Sequence, residues 1–137
     1  MADLTITAAN VVKSSAAQLV SCVFGETVAA GELVYQHTDG KIYKADTDDA
    51  NKKAVIGIAA CSGSLGQPGY YIAEDPDLAI GTHGAALGTI LVASGTAGKI
   101  CPAADLAAGD YTAAVGIAKT ATTIQFRILT AGVAIPA

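Results

Sequence analysis

Tryptophan is absent from this 137-residue sequence, and aromatic and charged residues are scarce, at 5% and 15% of the chain. Small residues take their place, with 29 alanines and 15 glycines. Disordered chains combine low hydrophobicity with high charge, whereas this chain has a mean hydropathy of +0.46. The composition therefore excludes a disordered tail. The length predicts one compact domain with a core of small side chains.

Positive charge is also in short supply. Seven lysines and one arginine stand against nine aspartates and three glutamates, which gives a net charge of −4. The only adjacent basic pair, Lys52 and Lys53, directly follows an acidic stretch at 46–49. Nucleic-acid binding needs clustered basic side chains that displace counterions from phosphates. We therefore expect no nucleic-acid partner.

The sequence lacks long uninterrupted hydrophobic runs. Segments 54–73 and 78–98 contain no charged residue, but glycines divide both of them. A membrane-spanning helix needs about 20 continuously apolar residues. The first residues lack the positive and apolar regions of a secretory signal. The sequence thus predicts no membrane partner and synthesis in a cytoplasm.

Cysteine is rare and its pattern is uninformative for metal or disulfide chemistry. The chain has three cysteines, Cys22, Cys61 and Cys101, which is an odd number, and no two of them form a Cys-x-x-Cys pair. Metal cages use closely spaced ligands, and small secreted domains use an even number of cysteines. We interpret the three as free thiols that act as small core residues, with a functional thiol as the alternative.

Motifs for catalysis or cofactor binding are missing as well. His37 and His83 lie 46 residues apart with no further ligand close to either. The nucleophile elbow and the phosphate-binding glycine patterns are absent. The acidic stretch 46–51 lacks the glycine and the distal glutamate of a calcium loop. The sequence predicts no catalytic, cofactor-binding or metal residues and no small-molecule substrate; the enzyme alternative requires Cys61 or Cys101 to meet His37 or His83.

Short alternating segments predict an all-β chain. Segment 123–129 alternates apolar and polar residues, with Arg127 pointing outward, and segments 4–7 and 19–24 are further strand candidates. Asp39-Gly40 between two strand-like runs predicts a hairpin with a type I′ turn, which needs positive φ at both residues. Helical periodicity is limited to short turns at 47–53 and 103–108.

The sequence contains an internal match between two segments. Residues 31–42 match 88–100, and residues 54–59 match 113–118, at offsets of 57 to 59. We expect a small β-barrel or β-sandwich built from two pseudo-repeated halves, 26–60 and 88–129, joined by a β segment at 61–87. Gly57 and Gly116 fall inside matched strands, where a glycine indicates a bulge, a bend or a close backbone approach.

Both ends of the chain are apolar and lie outside the repeat. Residues 1–12 are predicted to form an extended arm, and residues 130–137 an apolar tail. Such an arm can add a strand to a partner's sheet edge. Tyr70 and Tyr71 begin a strand, so one of them should face outward. The candidate interface residues are Leu4, Ile6, Val11, Val12, Tyr70, Tyr71, Val133 and Ile135.

The pattern of glycines, alanines and strands resembles a known family along nearly the whole chain. The resemblance is carried by segment 28–35 with the following Asp39-Gly40-Lys41, segment 55–59, the turn at 66–69, segments 107–111 and 115–118, and the C-terminal segment 132–136. These segments resemble the capsid decoration proteins of tailed bacteriophages, also called cement proteins.

The resemblance implies a small β protein on the outer capsid surface of a virion, made in the host cytoplasm. It implies self-association, commonly as a homotrimer, and binding to the major capsid protein to hold neighbouring subunits against internal DNA pressure. It brings no catalytic residues, and the terminal arms are the implied contacts. The alternatives are a tail, baseplate or fibre-attachment subunit, a bacterial surface-layer component, and a carbohydrate-binding module, which the lack of tryptophan disfavours.

Overall fold

A computed structural model describes residues 3–47, 49, 51–106 and 111–134, and it confirms the all-β class. Two 3-10 turns, Ala8–Asn10 and Ala103–Asp105, are the helical elements of the described part. No helix in those ranges is long and apolar enough to cross a membrane. The strands are β1 (Gln18–Val23), β2 (Leu33–Gln36), β3 (Ile42–Lys44), β4 (Gly57–Ala59), β5 (Pro68–Ala79), β6 (Ile90–Ala93), β7 (Ile100–Pro102), β8 (Tyr111–Ala118) and β9 (Thr123–Ala134).

All nine strands belong to one antiparallel sheet that curls into half a barrel. The strand order is β3-β2-β4-β5-β9-β8-β6-β7, and β1 pairs with the first part of β5. No ladder joins the end strands β3 and β7 in the described ranges, so the sheet stays open. The small β-barrel expected from the sequence thus takes the form of an open half-barrel.

The strand order reads the same from both ends of the sheet, with β2, β3, β4 and β5 corresponding to β6, β7, β8 and β9. The registers correspond too. Val34 lies opposite Gly57, and Leu91 lies opposite Gly116. At the centre, β5 and β9 meet with Glu74 opposite Arg127. The two halves thus pair their strands in the same way, while the pseudo-repeat read from the sequence stays a prediction.

The two halves bury opposite faces in the main core. Leu33 and Ile58 of the first half are fully buried there, as is Leu91 of the second half, which corresponds to Val34 rather than to Leu33. A bulge in β5 between Asp75 and Leu78 lies at the centre of the sheet, where it accommodates Pro76. Bulges bend and twist a sheet. The bulge in β5 lies where the first half of the sheet meets the second. There the sheet bends, so that the two halves turn opposite faces to the shared core.

The remaining face of the first half has its own cover. Phe24 and Val28, in the segment before β2, pack on Val34, Ile42 and Ala59 to form a second buried cluster. The first half is therefore buried on both faces. The second half has no such segment over its other face among the described residues.

The β2–β3 hairpin forms where Asp39-Gly40 predicts it, but the predicted type I′ turn is wrong. Gly40 has a φ of +82°, whereas no described residue other than glycine has a positive φ. The Gly40 N–H donates to the His37 carbonyl at 3.0 Å, and Asp39 Oδ1 accepts from the Lys41 N–H at 2.9 Å. Because Asp39 caps the turn with its side chain, only Gly40 takes the left-handed conformation.

Candidate interaction surfaces

An apolar groove lies on the outer face of the second half. Its volume is about 270 Å³. Three aliphatic side chains in it are unusually open, with Ile90 54%, Ile117 42% and Leu129 62% exposed. We call this surface the outer groove; it is lined by Ile90, Ala114, Gly116, Ile117, Gln125, Arg127 and Leu129.

Strand alternation places these residues outside. Ile90, Ile117 and Gln125 lie opposite one another across β6, β8 and β9, so they share one face of the sheet. The intervening Leu91 and Phe126 are fully buried on the other face. The groove is thus the back of strands whose front builds the core. Sheet faces are usually either buried or polar, and this face is neither.

Gly116 brings β8 close to β9 at the floor of the groove. A Cβ atom at this position would collide with the Gln125 carbonyl oxygen and lie 3.3 Å from the Phe126 Cα. The register of β8 shifts between Ala114 and Gly116. At Gly116 the backbones of β8 and β9 therefore approach closely and β8 forms a bulge, as a glycine inside a strand indicates.

A second apolar surface lies on β1 and the part of β5 paired with it, residues 18–23 and 68–74, which we call the β1–β5 ribbon. Leu19, Val23 and Tyr70 share one face of the ribbon and are 42%, 38% and 50% exposed, whereas Val20, opposite Tyr71, is exposed on the other face. β1 contains no charged residue and no proline. In the described ranges its outer edge has no partner strand.

The two neighbouring tyrosines of β5 point in different directions. Tyr71 packs in the second cluster, where its ring covers Gly57 so closely that a Cβ there would collide with it. Burial, and secondarily the nearby Cys22, raises the pKa of Tyr71. Tyr70 therefore belongs to the exposed ribbon, and Tyr71 belongs to the interior.

The predicted terminal contacts lie partly inside the protein's own fold. Leu4 is buried in the main core, and its N–H donates to the Ile100 carbonyl at 2.8 Å. Ile6 and Val11 pack half-buried against the same core. Val12 bridges to Ala79 through two backbone hydrogen bonds and leaves its side chain exposed. Residues 4–7 do not form the strand that their alternation predicts.

At the other end, Val133 lies within β9, and Ile135 lies outside the described residues. Contact of either terminal segment with a partner stays a prediction. Sequence reasoning missed the groove and the β1 side chains. The sequence did contain a signal for Leu129, because residues two apart in a strand point to the same face and Arg127 was predicted to point outward.

The cysteines lie in apolar surroundings. Cys22 and Cys61 both pack against the second cluster, and Cys101 is buried at 3% exposure opposite Val92. Burial, followed by the neighbouring Cys61, raises the pKa of the Cys22 thiol. A raised pKa disfavours the thiolate that acts as nucleophile and metal ligand.

The two histidines make different local contacts. In buried His83, Nε2 lies 2.6 Å from the Thr120 carbonyl, and Nδ1 accepts from the Ala85 N–H at 3.1 Å. His37 stacks edge-on against Tyr35 and Tyr43 on the β2–β3 hairpin. His83 thus ties its loop to the turn before β9. Among the described residues, no three His, Cys, Asp or Glu side chains are grouped to hold a metal ion.

The acidic loop after β3 is closed by its own backbone. The Lys52 N–H donates to the Asp49 carbonyl at 3.0 Å, and the Asn51 N–H donates to Asp49 Oδ1 at 2.8 Å. Thr47, fully buried at the start of this loop, donates through Oγ1 to the Ala93 carbonyl at 3.2 Å. The Thr47 bond joins the start of the loop to β6 in the second half of the sheet. Asp48 lies outside the described residues.

Comparison of the chain with protein-family models found no match, and comparison with curated proteins found none either.

Proposed function

We propose that this chain is a structural virion protein, a capsid decoration or cement protein that binds the outside of a phage head. In this role it associates with itself, as a trimer, and contacts the major capsid protein. Its task is to stabilise the contacts between neighbouring capsid subunits. The proposal extends the resemblance noted in the sequence.

The observation that carries the proposal is the pair of uncovered apolar surfaces. The outer groove exposes Ile90, Ile117 and Leu129. The ribbon exposes Leu19, Val23 and Tyr70 on one face, and Leu65 is exposed in the turn before β5. Permanent interfaces are larger and more hydrophobic than transient ones. Contiguous exposed apolar patches mark interaction sites. A chain with so few charges is suited to a role in which much of its surface is covered.

The shape of the protein also suits a capsid partner. Both sheet halves are anchored by buried aliphatic residues and by hydrogen bonds between them, such as Gly98 N–H to Ala45 carbonyl at 2.7 Å and Leu33 N–H to Gly98 carbonyl at 2.9 Å. The two halves are thus joined into one body, which suits a protein that bridges neighbouring capsid subunits.

Co-sedimentation tests the proposal. Heads assembled from the major capsid protein of the same phage, and lacking this protein, are mixed with the purified full-length chain. We expect saturable pelleting with heads and none with isolated tails. Binding to tails or baseplates instead supports the tail-subunit alternative, and binding to neither particle overturns a virion role.

A version starting at residue 13 tests the predicted arm separately. If residues 1–12 contact the head, the truncated chain binds more weakly than the full chain at equal folded content, checked by circular dichroism. Equal binding contradicts the arm prediction and leaves the cement proposal standing. Because Leu4 lies in the main core, the milder variant Val12→Ser is included, which changes only an exposed side chain.

A further inference from the structure

We propose that Asp39 is the residue at which this chain isomerises spontaneously to isoaspartate, and that the β2–β3 hairpin controls the rate by holding the Asp39 carboxylate. The modification goes beyond the proposed function and does not depend on it. Asp39-Gly40 is the only Asp-Gly pair in the sequence, and Asn-Gly does not occur. A glycine after aspartate favours the reaction, because it has no side chain to hinder the approach of its nitrogen to the carboxyl group.

The reaction has two steps and needs only water. The Gly40 nitrogen attacks Cγ of the protonated Asp39 carboxyl group and loses its proton, and the carboxyl hydroxyl leaves with that proton as water. A five-membered succinimide ring results. Water then opens the ring at one of its two carbonyl carbons. Opening at Cγ restores aspartate, whereas opening at the main-chain carbonyl gives isoaspartate, whose main chain runs through Cβ and Cγ.

The surroundings of Asp39 leave room for this chemistry. The Asp39 side chain is 40% exposed, and a Cβ atom at Gly40 would have no heavy atom within 4 Å. Asp75 is the opposite case, because it is fully buried and precedes Pro76, whose nitrogen carries no proton to lose. Sequence context and exposure therefore both favour Asp39.

Two hydrogen bonds hold the Asp39 carboxylate in the folded hairpin. Oδ2 accepts from the Tyr43 hydroxyl at 2.6 Å, and Oδ1 accepts from the Lys41 N–H at 2.9 Å. The Tyr43 bond, followed by the Lys41 bond, lowers the pKa of Asp39 because both stabilise the charged form. Ring closure uses the protonated carboxyl group, so these bonds keep the reactive form rare.

The attacking nitrogen is held as well. The Gly40 N–H donates to the His37 carbonyl at 3.0 Å, and the His37 N–H donates to the Lys41 carbonyl at 3.0 Å across the hairpin. To react, the Gly40 nitrogen must turn towards Cγ and give up its proton, which breaks its bond to His37. Ring closure therefore requires the tip of the hairpin to open, and its rate follows the fraction of time that the tip is open.

Isoaspartate at this position changes the hairpin. It adds one carbon to the main chain at the turn and moves the carboxylate away from Lys41 and Tyr43. β3 has only three residues, and it pairs with β2 directly after this turn. We therefore expect the modified tip to hold β3 on β2 less firmly.

Ageing of the purified full-length chain tests the proposal. The unchanged chain, Tyr43→Phe and Tyr70→Phe are incubated together at neutral pH. Enzymatic methylation counts the isoaspartyl groups, and mass spectrometry of peptides locates them. We expect isoaspartate at residue 39, forming several-fold faster in Tyr43→Phe. Tyr70→Phe removes a half-exposed hydroxyl elsewhere and should age like the unchanged chain.

Equal rates in Tyr43→Phe and the unchanged chain, with equal circular dichroism spectra, overturn control by this hydrogen bond. A synthetic peptide of residues 36–43 gives a measurement that requires no folded variant. It lacks the rest of the sheet and should form isoaspartate several-fold faster than the folded chain. An equal rate in the peptide and the folded chain overturns control by the hairpin.

Asp39→Glu tests the site itself. Glutamate can close only a six-membered ring, which forms much more slowly, so the isoaspartate signal should disappear. A signal that persists in Asp39→Glu places the modification at another residue and overturns the proposal. Head binding is measured separately, so none of these outcomes bears on the cement proposal.

Discussion

Ile58 and Ile117 occupy the same position in the two halves of the sheet, yet Ile58 is fully buried and Ile117 is 42% exposed. Each lies opposite the first residue of the neighbouring strand, Leu33 for Ile58 and Ile90 for Ile117. The difference arises because the halves turn opposite faces to the main core. The same strand position is therefore core in one half and exposed surface in the other.

Truncating these two isoleucines should have unequal effects on the isolated chain. Ile58→Ala leaves a cavity in the core and should lower the free energy of unfolding by about 2–5 kcal/mol. Ile117→Ala should change it by about 0.5 kcal/mol or less when the chain is monomeric, as for most surface substitutions. Urea unfolding at low protein concentration measures both values. Equal losses would show that Ile117 is part of the monomer's core.

Gly116→Ala tests the close approach of β8 and β9. The new methyl group collides with the Gln125 carbonyl, which belongs to the backbone and has little freedom to move. Overpacking of this kind costs about 1–3 kcal/mol, so we expect a lower urea midpoint with an unchanged m-value. A midpoint equal to that of the unchanged chain contradicts the geometry at this bulge.

Ser14→Ala tests how the buried Asp75 is held. The Ser14 N–H donates to Asp75 Oδ2 at 2.8 Å, its hydroxyl donates to Oδ1, and the Asp77 N–H donates to Oδ1 at 2.9 Å. Asp75 is fully buried at the bulge of β5. Loss of a hydrogen bond to a charged group costs about 1.5–3 kcal/mol.

The comparison variant for this prediction is Ser15→Ala, because Ser15 is exposed and adjacent in sequence. Unfolding of both variants in urea gives the two free energies. If Ser14→Ala and Ser15→Ala unfold at the same urea concentration, the hydroxyl of Ser14 does not stabilise Asp75.

The β2–β3 hairpin should depend on pH through Asp39 and Tyr43. The Tyr43 hydroxyl donates to Asp39 Oδ2 at 2.6 Å. This bond, followed by the bond from the Lys41 N–H, lowers the pKa of Asp39 below its ordinary 3.8. The same bond raises the pKa of Tyr43 above its ordinary 10.0.

The direction of each shift fixes the pH window. The contribution of Asp39 to stability is present above its unfolded pKa and is lost as the pH falls through its lowered folded pKa. The contribution of Tyr43 is present below pH 10.0 and is lost as the pH rises through its raised folded pKa. NMR titration of the Tyr43 ring carbons measures the shift, and Asp39→Asn should move the Tyr43 pKa back towards its ordinary value. An unmoved pKa contradicts the hydrogen bond.

Local patterns were sufficient to predict several elements. The alternation in 123–129 predicts β9, and Asp39-Gly40 predicts the hairpin, because side-chain period and turn residues act over a few positions. The 3-10 turn at 103–105 falls within a predicted short turn. Of the two prolines of β5, Pro68 is its first residue and Pro76 lies at a bulge, which no local pattern reveals.

The interaction surfaces could not be predicted in the same way. Ile90 and Leu33 begin similar apolar runs, so their sequence surroundings do not tell which of them is exposed. The answer depends on which face each half turns to the core, and that is set by the bend between β5 and β9, far along the chain. Leu4 is the opposite case. It was predicted as a partner contact because it is apolar and close to the N-terminus, but it is buried in the core of its own chain.

The temperature at which DNA leaves the phage head tests the central claim most directly. Heads lacking this protein are compared, by fluorescence of a DNA-binding dye during heating, with the same heads saturated with the purified full-length chain. A cement protein holds capsid subunits together against internal pressure, so the saturated heads should release DNA at a higher temperature. An unchanged release temperature, with the chain bound to the heads, would contradict a stabilising role.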